Sequence, residues 1–408
     1  MKLLYVTASL PYGTTEVFAV PELQELTRRG HEVRLAPMSR YAATPPSDAL
    51  PFVPHTLYAP LVSAASFGGG AAQFVRRPGR AVGVLRRVLE GQKRDVVEKN
   101  LAVFPRALWL ARVARAWGAE HIHGYWASVA ATAAMIAGEV SGIPWSFTAH
   151  RWDIVQPNAL PAKLESAHFA RFISQDGFER ARPVAGSLLD EKGVVIRMGV
   201  PLDAAAVEPT PLPEGTHLRV VCTATLIPRK GHRYLLAALA ELKRRDLCVT
   251  LTLAGGGELR EELEAQVREL GLSDRVTFLG NVDHAELLRL YASGAFDAFV
   301  LPSLHEGISV AVMEAMSHAL PVIATDVGGT KELLTEGAGL LVPAEDVSAL
   351  VEALLELISH PERRARLAQT GRARVFELHD VRRIVDALEA RFSEPLVAPS
   401  AQQETVPL

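Results

Sequence analysis

Short apolar runs alternate with longer amphipathic stretches along nearly the whole chain. That rhythm predicts βα units with parallel strands and helical crossovers. In the first half, strands are expected at Lys2–Ala8, Glu32–Pro37, His121–His123, Trp145–Ala149, Arg171–Ser174 and Val194–Arg197. Helices are expected at Glu16–Arg29, closed by Gly30, at Ser128–Val140, and in several segments before Trp117. The rhythm restarts after residue 216. Strands are expected at Leu218–Thr223, Cys248–Ala254, Arg275–Leu279, Ala298–Leu301, Pro321–Thr325 and Gly339–Val342, with helices at Arg233–Arg244, Leu259–Leu270, Ala285–Ala292 and Val310–Ala319. Between the halves stand Pro201, Pro209, Pro211 and Pro213, which can extend neither a helix nor a central strand. The pattern therefore predicts two doubly wound α/β domains, 1–200 and 217–378, joined by a linker at 201–216. A C-terminal helix over 379–392 is expected to pack back toward the N-terminal domain, and the polar tail 393–408 to lack order. The proline-rich stretch Thr44–Pro60 is expected to be a long surface loop.

The chain has 408 residues, 49% hydrophobic and 22% charged, enough for two full cores. A net charge of −3 excludes a generally basic nucleic-acid binder. The halves differ: 23 Lys/Arg against 16 Asp/Glu up to residue 200, and 20 against 30 after it. Such asymmetry suggests different partners for the two halves. Seven of the cations lie in Arg76–Arg94, against the single acid Glu90, as either a solvated helical face or a membrane-surface patch. Two cysteines, Cys222 and Cys248, make no disulfide framework, and no apolar run is long enough to span a bilayer. A soluble cytoplasmic protein is expected.

In doubly wound sheets ligands sit in the loops that follow strands. The richest of these loops is Leu301 to Met316. Glu306 and Gly307 follow a strand end, and Ser309 is placed to cap a helix. That helix is apolar nearly all round except for Glu314, a lone carboxylate that would be costly to bury unpaired. A ribose diol would supply two donors to it, or His318 at i+4 would pair with it. The Gly307-Ile308-Ser309 amides suit an anion such as a diphosphate. A second loop, Ala224 to Gly231, carries the adjacent cations Arg229 and Lys230, suited to phosphate oxygens at about 1.5–3 kcal/mol per charge-assisted bond. Gly255-Gly256-Gly257 lacks the third glycine of a dinucleotide fingerprint. It reads better, with the loop Gly280-Asn281-Val282, as a pocket wall. His121 and His123 alternate on a strand without a third ligand at suitable spacing, so no metal site is expected.

Together these motifs resemble glycosyltransferase family 4, retaining enzymes of the GT-B fold, in which two Rossmann-like domains face a central cleft. The paired glutamates match Glu306 and Glu314, and the lysine-glycine turn matches Lys230-Gly231. The likeness extends to Gly13, to Arg28–Val33 and to Thr148-Ala149-His150. Thr15–Phe18, His121–His123 and Ser146–His150 followed by Asp153 are most similar to the branch that builds bacterial exopolysaccharides of the colanic-acid kind. The resemblance implies transfer of a hexosyl group from a nucleotide diphosphate sugar to a polysaccharide or polyprenyl-linked saccharide, with no cofactor beyond the donor. It implies cell-envelope synthesis at the inner face of the membrane. Glu314 would hold the ribose, Glu306 the donor sugar, Gly307, Ile308 and Ser309 the diphosphate, and Lys230 and Arg229 its charge. His150 would flank the reacting centre, with Asp153 nearby. Gly13 and Thr14 would border acceptor and phosphates, and Gly255, Asn281 and Val282 the nucleotide. This chain departs from the family at Ala224-Thr225, where Gly-Arg is usual, in having one glycine in the first loop, and at Arg151-Trp152 beside His150. A nucleotide-sugar epimerase or hydrolase, or a catalytically silent GT-B partner subunit, fits the same fold.

Overall fold

The apolar segments of each half associate as a six-stranded parallel sheet. The computed structural model describes residues 1–13, 16–40, 45–202 and 217–395. The first sheet contains β1 (Lys2–Thr7), β2 (Glu32–Pro37), β3 (His121–Gly124), β4 (Trp145–Ala149), β5 (Ala170–Phe172) and β6 (Gly193–Val195), in the order β2-β1-β3-β4-β5-β6. The second contains β7 (His217–Thr223), β8 (Cys248–Ala254), β9 (Val276–Gly280), β10 (Ala298–Leu301), β11 (Val322–Thr325) and β12 (Leu340–Val342), in the order β12-β11-β10-β7-β8-β9. Every recorded strand pair is parallel. Central strands are apolar throughout because helices cover both faces, as in β10, where all four residues are buried.

Strand order reverses between β1 and β3 and again between β7 and β10. At such a point successive connections leave in opposite directions and open a crevice beyond the carboxyl ends of the strands. The loops after β7 and β10, which hold Lys230 and Glu306, therefore become neighbours although 76 residues separate them. The alanine-rich helix Val129–Ser141 lies close on β3 because small residues meet: a Cβ on Gly124 would come within 2.7 Å of the Ala131 Cα.

The structure revises several expected elements. The first helix begins at Val20, after a 3-10 turn Val17–Ala19. Glu16 stays outside it because its carboxylate takes the amides of Ala8, Ser9 and Leu10. Within the stretch expected as a surface loop, Ser47–His55 forms a 3-10 helix that buries Ala49 and Phe52 beside Leu3 and Leu35. Two prolines in it tolerate this tight winding better than they would an α-helix interior. Arg76–Arg94 largely forms the helix Pro78–Leu89, which buries Ala81, Val84 and Val88. Arg87 pairs there with Glu139, while Arg76 and Arg77 stay exposed. Residues 203–216 of the linker and 396–408 of the tail lie outside the described residues.

After the second sheet the chain returns to the first. The helix Val381–Ser393 buries Val381, Ile384, Val385, Leu388 and Phe392 in one cluster with Leu3, Tyr5 and Leu23. Arg29 adds ion pairs to Asp386 at 2.5 Å and Glu389 at 2.7 Å. The two sheets are thus tied at this edge by packing, which leaves the crevices facing each other.

Candidate active site between the two sheets

The loop after β7 winds as a 3-10 turn Pro228–Lys230 and ends at Gly231. Gly231 has φ +68°, and a Cβ there would meet the Pro302 carbonyl oxygen at 2.0 Å, so only glycine lets this loop lie against the one after β10. The approach brings Lys230 Nζ onto Glu306 Oε1, and Ser303 Oγ donates to the same oxygen at 2.7 Å. Both side chains are largely buried, 16% and 10% exposed. Ser309 caps the helix Val310–Ser317 by accepting from the Val312 amide at 3.4 Å. Its neighbour Ile308 is nearly buried.

Glu314 is not a lone carboxylate, and its partner is not His318. His318 Nδ1 lies 2.8 Å from the Glu314 backbone carbonyl. The carboxylate Oε1 instead lies 2.8 Å from Nε2 of His284, whose Nδ1 lies 3.0 Å from Asp48 Oδ2 on the first-sheet side. Ser47 Oγ donates to Asp283 at 3.0 Å alongside. Hydrogen bonds from both carboxylates push the His284 pKa up to about 9, against the opposing effect of burial. An imidazolium therefore bridges the sheets. Its contribution to stability is full below the ordinary histidine value of about 6.5 and is lost as pH rises from there through about 9. The melting-temperature advantage of wild type over His284→Gln should shrink across that window. A constant difference would mean that the charged bridge does not form.

Across the crevice, His150 ends β4 and starts the short helix Arg151–Val155. The Asp153 amide donates to the His150 carbonyl at 3.0 Å, and the Asp153 carboxylate accepts the amides of His150 at 3.1 Å and Ala127 at 2.9 Å. Nε2 of His150 is buried with no hydrogen-bond partner among the described residues. The buried ring is neutral. Burial, helped by the charge of Arg171, lowers this pKa to about 3. The ring packs 4.3 Å, centroid to centroid, from Trp126, which donates to Glu16 at 2.6 Å. Burial raises Asp153 to about 6 and lowers nearby Lys163 to about 7, so both are held as scaffold beneath the loop.

Other expected site residues fall in different surroundings. Arg229 is exposed and sets its guanidinium 5.9 Å from the ring of Trp152 on the opposite wall. Asn281 Oδ1 accepts the Gly256 amide at 2.8 Å, and Val282 packs against the second core. Gly255 and Gly257 have φ +146° and +156°, and Cβ atoms there would strike the carbonyls of Ala224 and Leu226. These glycines let two loops stack. Gly13 is buried against Ser9, in a loop whose amides serve Glu16. Thr14 lies outside the described residues. His121 and His123 share Ser146 Oγ at 2.7 Å, and His123 also reaches Thr148. Sequence reasoning missed Glu16, His284 and Ser303. Only Glu16 carried a signal, in the Thr15–Phe18 resemblance.

Known structures decide the class of this architecture. HepE (Alr3699) of Anabaena, crystallised with UDP, matches 96% of this chain and 100% of its own with a TM-score of 0.71 at 20% identity. Sucrose-phosphate synthase from Thermosynechococcus elongatus matches 96% and 98% with a TM-score of 0.69 at 21% identity. The fold is GT-B. In sequence, residues 209–374 match the family model of glycosyl transferases group 1. That segment spans the whole second sheet and contains Lys230, Glu306 and Glu314. The chain resembles, over part of its length, a GDP-mannose-dependent α-(1-6)-phosphatidylinositol monomannoside mannosyltransferase of Mycolicibacterium smegmatis, 34% identical over 161 residues, 38% of this chain. It also resembles the amylovoran biosynthesis glycosyltransferase AmsK of Erwinia amylovora, 35% identical over 176 residues, 41% of this chain. The chain spans 42% of the length of each of these two relatives.

Proposed function

We propose that the protein is a retaining glycosyltransferase of family 4, in the branch that builds bacterial exopolysaccharide. It moves a hexosyl group from a nucleotide diphosphate sugar to a polysaccharide or lipid-linked saccharide. The bond from the sugar C1 to the diphosphate oxygen breaks with its electron pair left on the diphosphate, C1 bonds to an acceptor hydroxyl oxygen, and the hydroxyl proton passes to the departing diphosphate. Catalysis of this kind depends on fixed positive charge where the leaving group forms. The observation that carries the reading is the Lys230–Glu306 pair at the switch point, beside the amides that open the helix Val310–Ser317. Lys230 would meet the diphosphate, Glu306 the donor sugar, and Glu314, already held by His284, the ribose. Across the cleft, Nε2 of His150 has no partner among the described residues and is left for a polar group of the substrate. The mannosyltransferase and amylovoran relatives support lipid-linked and polysaccharide acceptors respectively.

The test is thermal shift with a panel of nucleotide diphosphate sugars, since a bound donor stabilises by RT ln(1 + [L]/Kd). At least one donor should raise the wild-type Tm. Glu314→Gln should weaken free nucleotide diphosphate binding more than Glu306→Gln does. No response to any donor would overturn the reading. Release of free sugar or a 2-epimer without acceptor would favour the hydrolase or epimerase alternative.

Membrane association at the inner face is part of the proposal. None of the described helices is long and apolar enough to cross a membrane. Phe67, Phe74, Val75 and Val82 are nevertheless exposed beside Arg76 and Arg77. The protein should pellet with anionic liposomes at low salt and be released at high salt, because exposed charges are screened beyond about 8 Å at physiological ionic strength. Equal behaviour with neutral and anionic liposomes would leave this face simply solvated.

A further inference from the structure

Arg151 follows His150 on the first-sheet wall, and its side chain is only 19% exposed. Nη1 is buried and makes no hydrogen bond to the described residues. Asp176 Oδ2 lies 3.6 Å from it, beyond hydrogen-bond range, and already receives Arg180 Nε at 2.7 Å. A buried guanidinium nitrogen with unspent donors is costly unless something else accepts from it. The second-sheet backbone comes within contact of this side chain. A Cβ on Gly307 would lie 3.6 Å from Arg151 Cβ, and one on Gly328 would lie 3.0 Å from Nη1. Gly307 leads into the Ser309 cap, and its carbonyl is fixed by the Gly329 amide at 2.7 Å. The walls are clamped here as well, because Glu332 accepts the amides of Gln175 and Asp176 at 3.0 and 2.8 Å. A guanidinium from one wall and a helix N-terminus from the other thus converge on one place, and both favour an anion.

We infer that Arg151 reaches across the cleft to bind the diphosphate of the donor, opposite Lys230. This rests on the donor reading above. Two sources of positive charge then hold one anion from two domains, so that diphosphate binding and closure of the cleft support each other. Thr225, exposed in the loop after β7, has no charge to offer, which leaves this work to side chains from elsewhere.

Calorimetric titration of the full chain with UDP, GDP, uridine and guanosine tests the inference. Arg151→Gln should weaken the nucleoside diphosphate that wild type binds by about 10- to 100-fold, the size of a charge-assisted bond, and leave nucleoside binding and Tm unchanged. Arg151→Lys should recover part of the loss. Undiminished diphosphate affinity in Arg151→Gln overturns the inference. So does equal weakening of diphosphate and nucleoside with a lowered Tm, which marks a packing role. If wild type binds none of the four probes, nor any nucleotide sugar, the donor reading itself falls and the inference falls with it.

Discussion

Lys230→Ala is expected to lower the single-turnover rate with the true donor by about 10²- to 10³-fold, the usual cost of removing one fixed electrostatic stabiliser of a transition state, roughly 2.7–4 kcal/mol. The ammonium sits at the switch point, where it supplies a full positive charge beside the helix N-terminus of Val310–Ser317. Its removal has a second consequence, because among the described residues Glu306 keeps only Ser303 as a side-chain partner in a largely buried position. Losing one member of a buried pair destabilises by about 3–5 kcal/mol, so Tm should fall too. Lys230→Ala with Glu306→Gln should regain much of the Tm and none of the rate. Rate recovery in the double variant would mean that the loss came from the stranded carboxylate. Arg229→Ala should cost less than Lys230→Ala, since Arg229 is exposed and rests against Trp152 rather than on Glu306. An equal loss would mean that Arg229 swings onto the diphosphate when donor binds.

His150→Asn is expected to reduce turnover by about 10²-fold with little change in Tm. The ring packs among Trp126, Phe18 and Tyr125, and its Nε2 has no partner among the described residues. Asparagine keeps a polar side chain at the start of the helix Arg151–Val155 and removes the distal ring nitrogen. His150→Ala should lose the same turnover and in addition some stability, because a void opens between Trp126, Phe18 and Tyr125. Full turnover in His150→Asn would make the histidine a packing residue and nothing more. The low pKa also implies that its protonation leaves no mark on a pH–rate profile near neutrality.

The strand bounds Glu32–Pro37, Trp145–Ala149, Cys248–Ala254 and Ala298–Leu301 are legible residue for residue: Trp145–Ala149 and Ala298–Leu301 are short runs buried on both faces, and in the other two buried apolar residues alternate with more exposed ones at the start. The cap at Ser309 is legible for a similar reason: a hydroxyl just before an apolar helix has local amides to accept from. The 3-10 helix Ser47–His55 was hidden by its prolines. Its anchor, Phe52, reads as a loop residue until the sheet that receives it is in place.

Glu314 marks the boundary between the two kinds of knowledge. Helical spacing nominates His318, the neighbour four residues on, whereas the carboxylate takes His284, thirty residues away on a helix from another βα unit. The sequence by itself determined which segments become strands and helices, that two doubly wound sheets form, and that chemistry-bearing loops follow β7 and β10. Those properties follow from periodicity and capping within a few residues. Only the tertiary structure decided that Lys230 meets Glu306, that Asp48 closes the His284 bridge from the opposite sheet, and that Arg151 faces Gly307 and Gly328. These pairings join residues from different strands' loops or different walls. They exist only once strand order, the glycine contacts between loops and the returning C-terminal helix have set how the two crevices face each other.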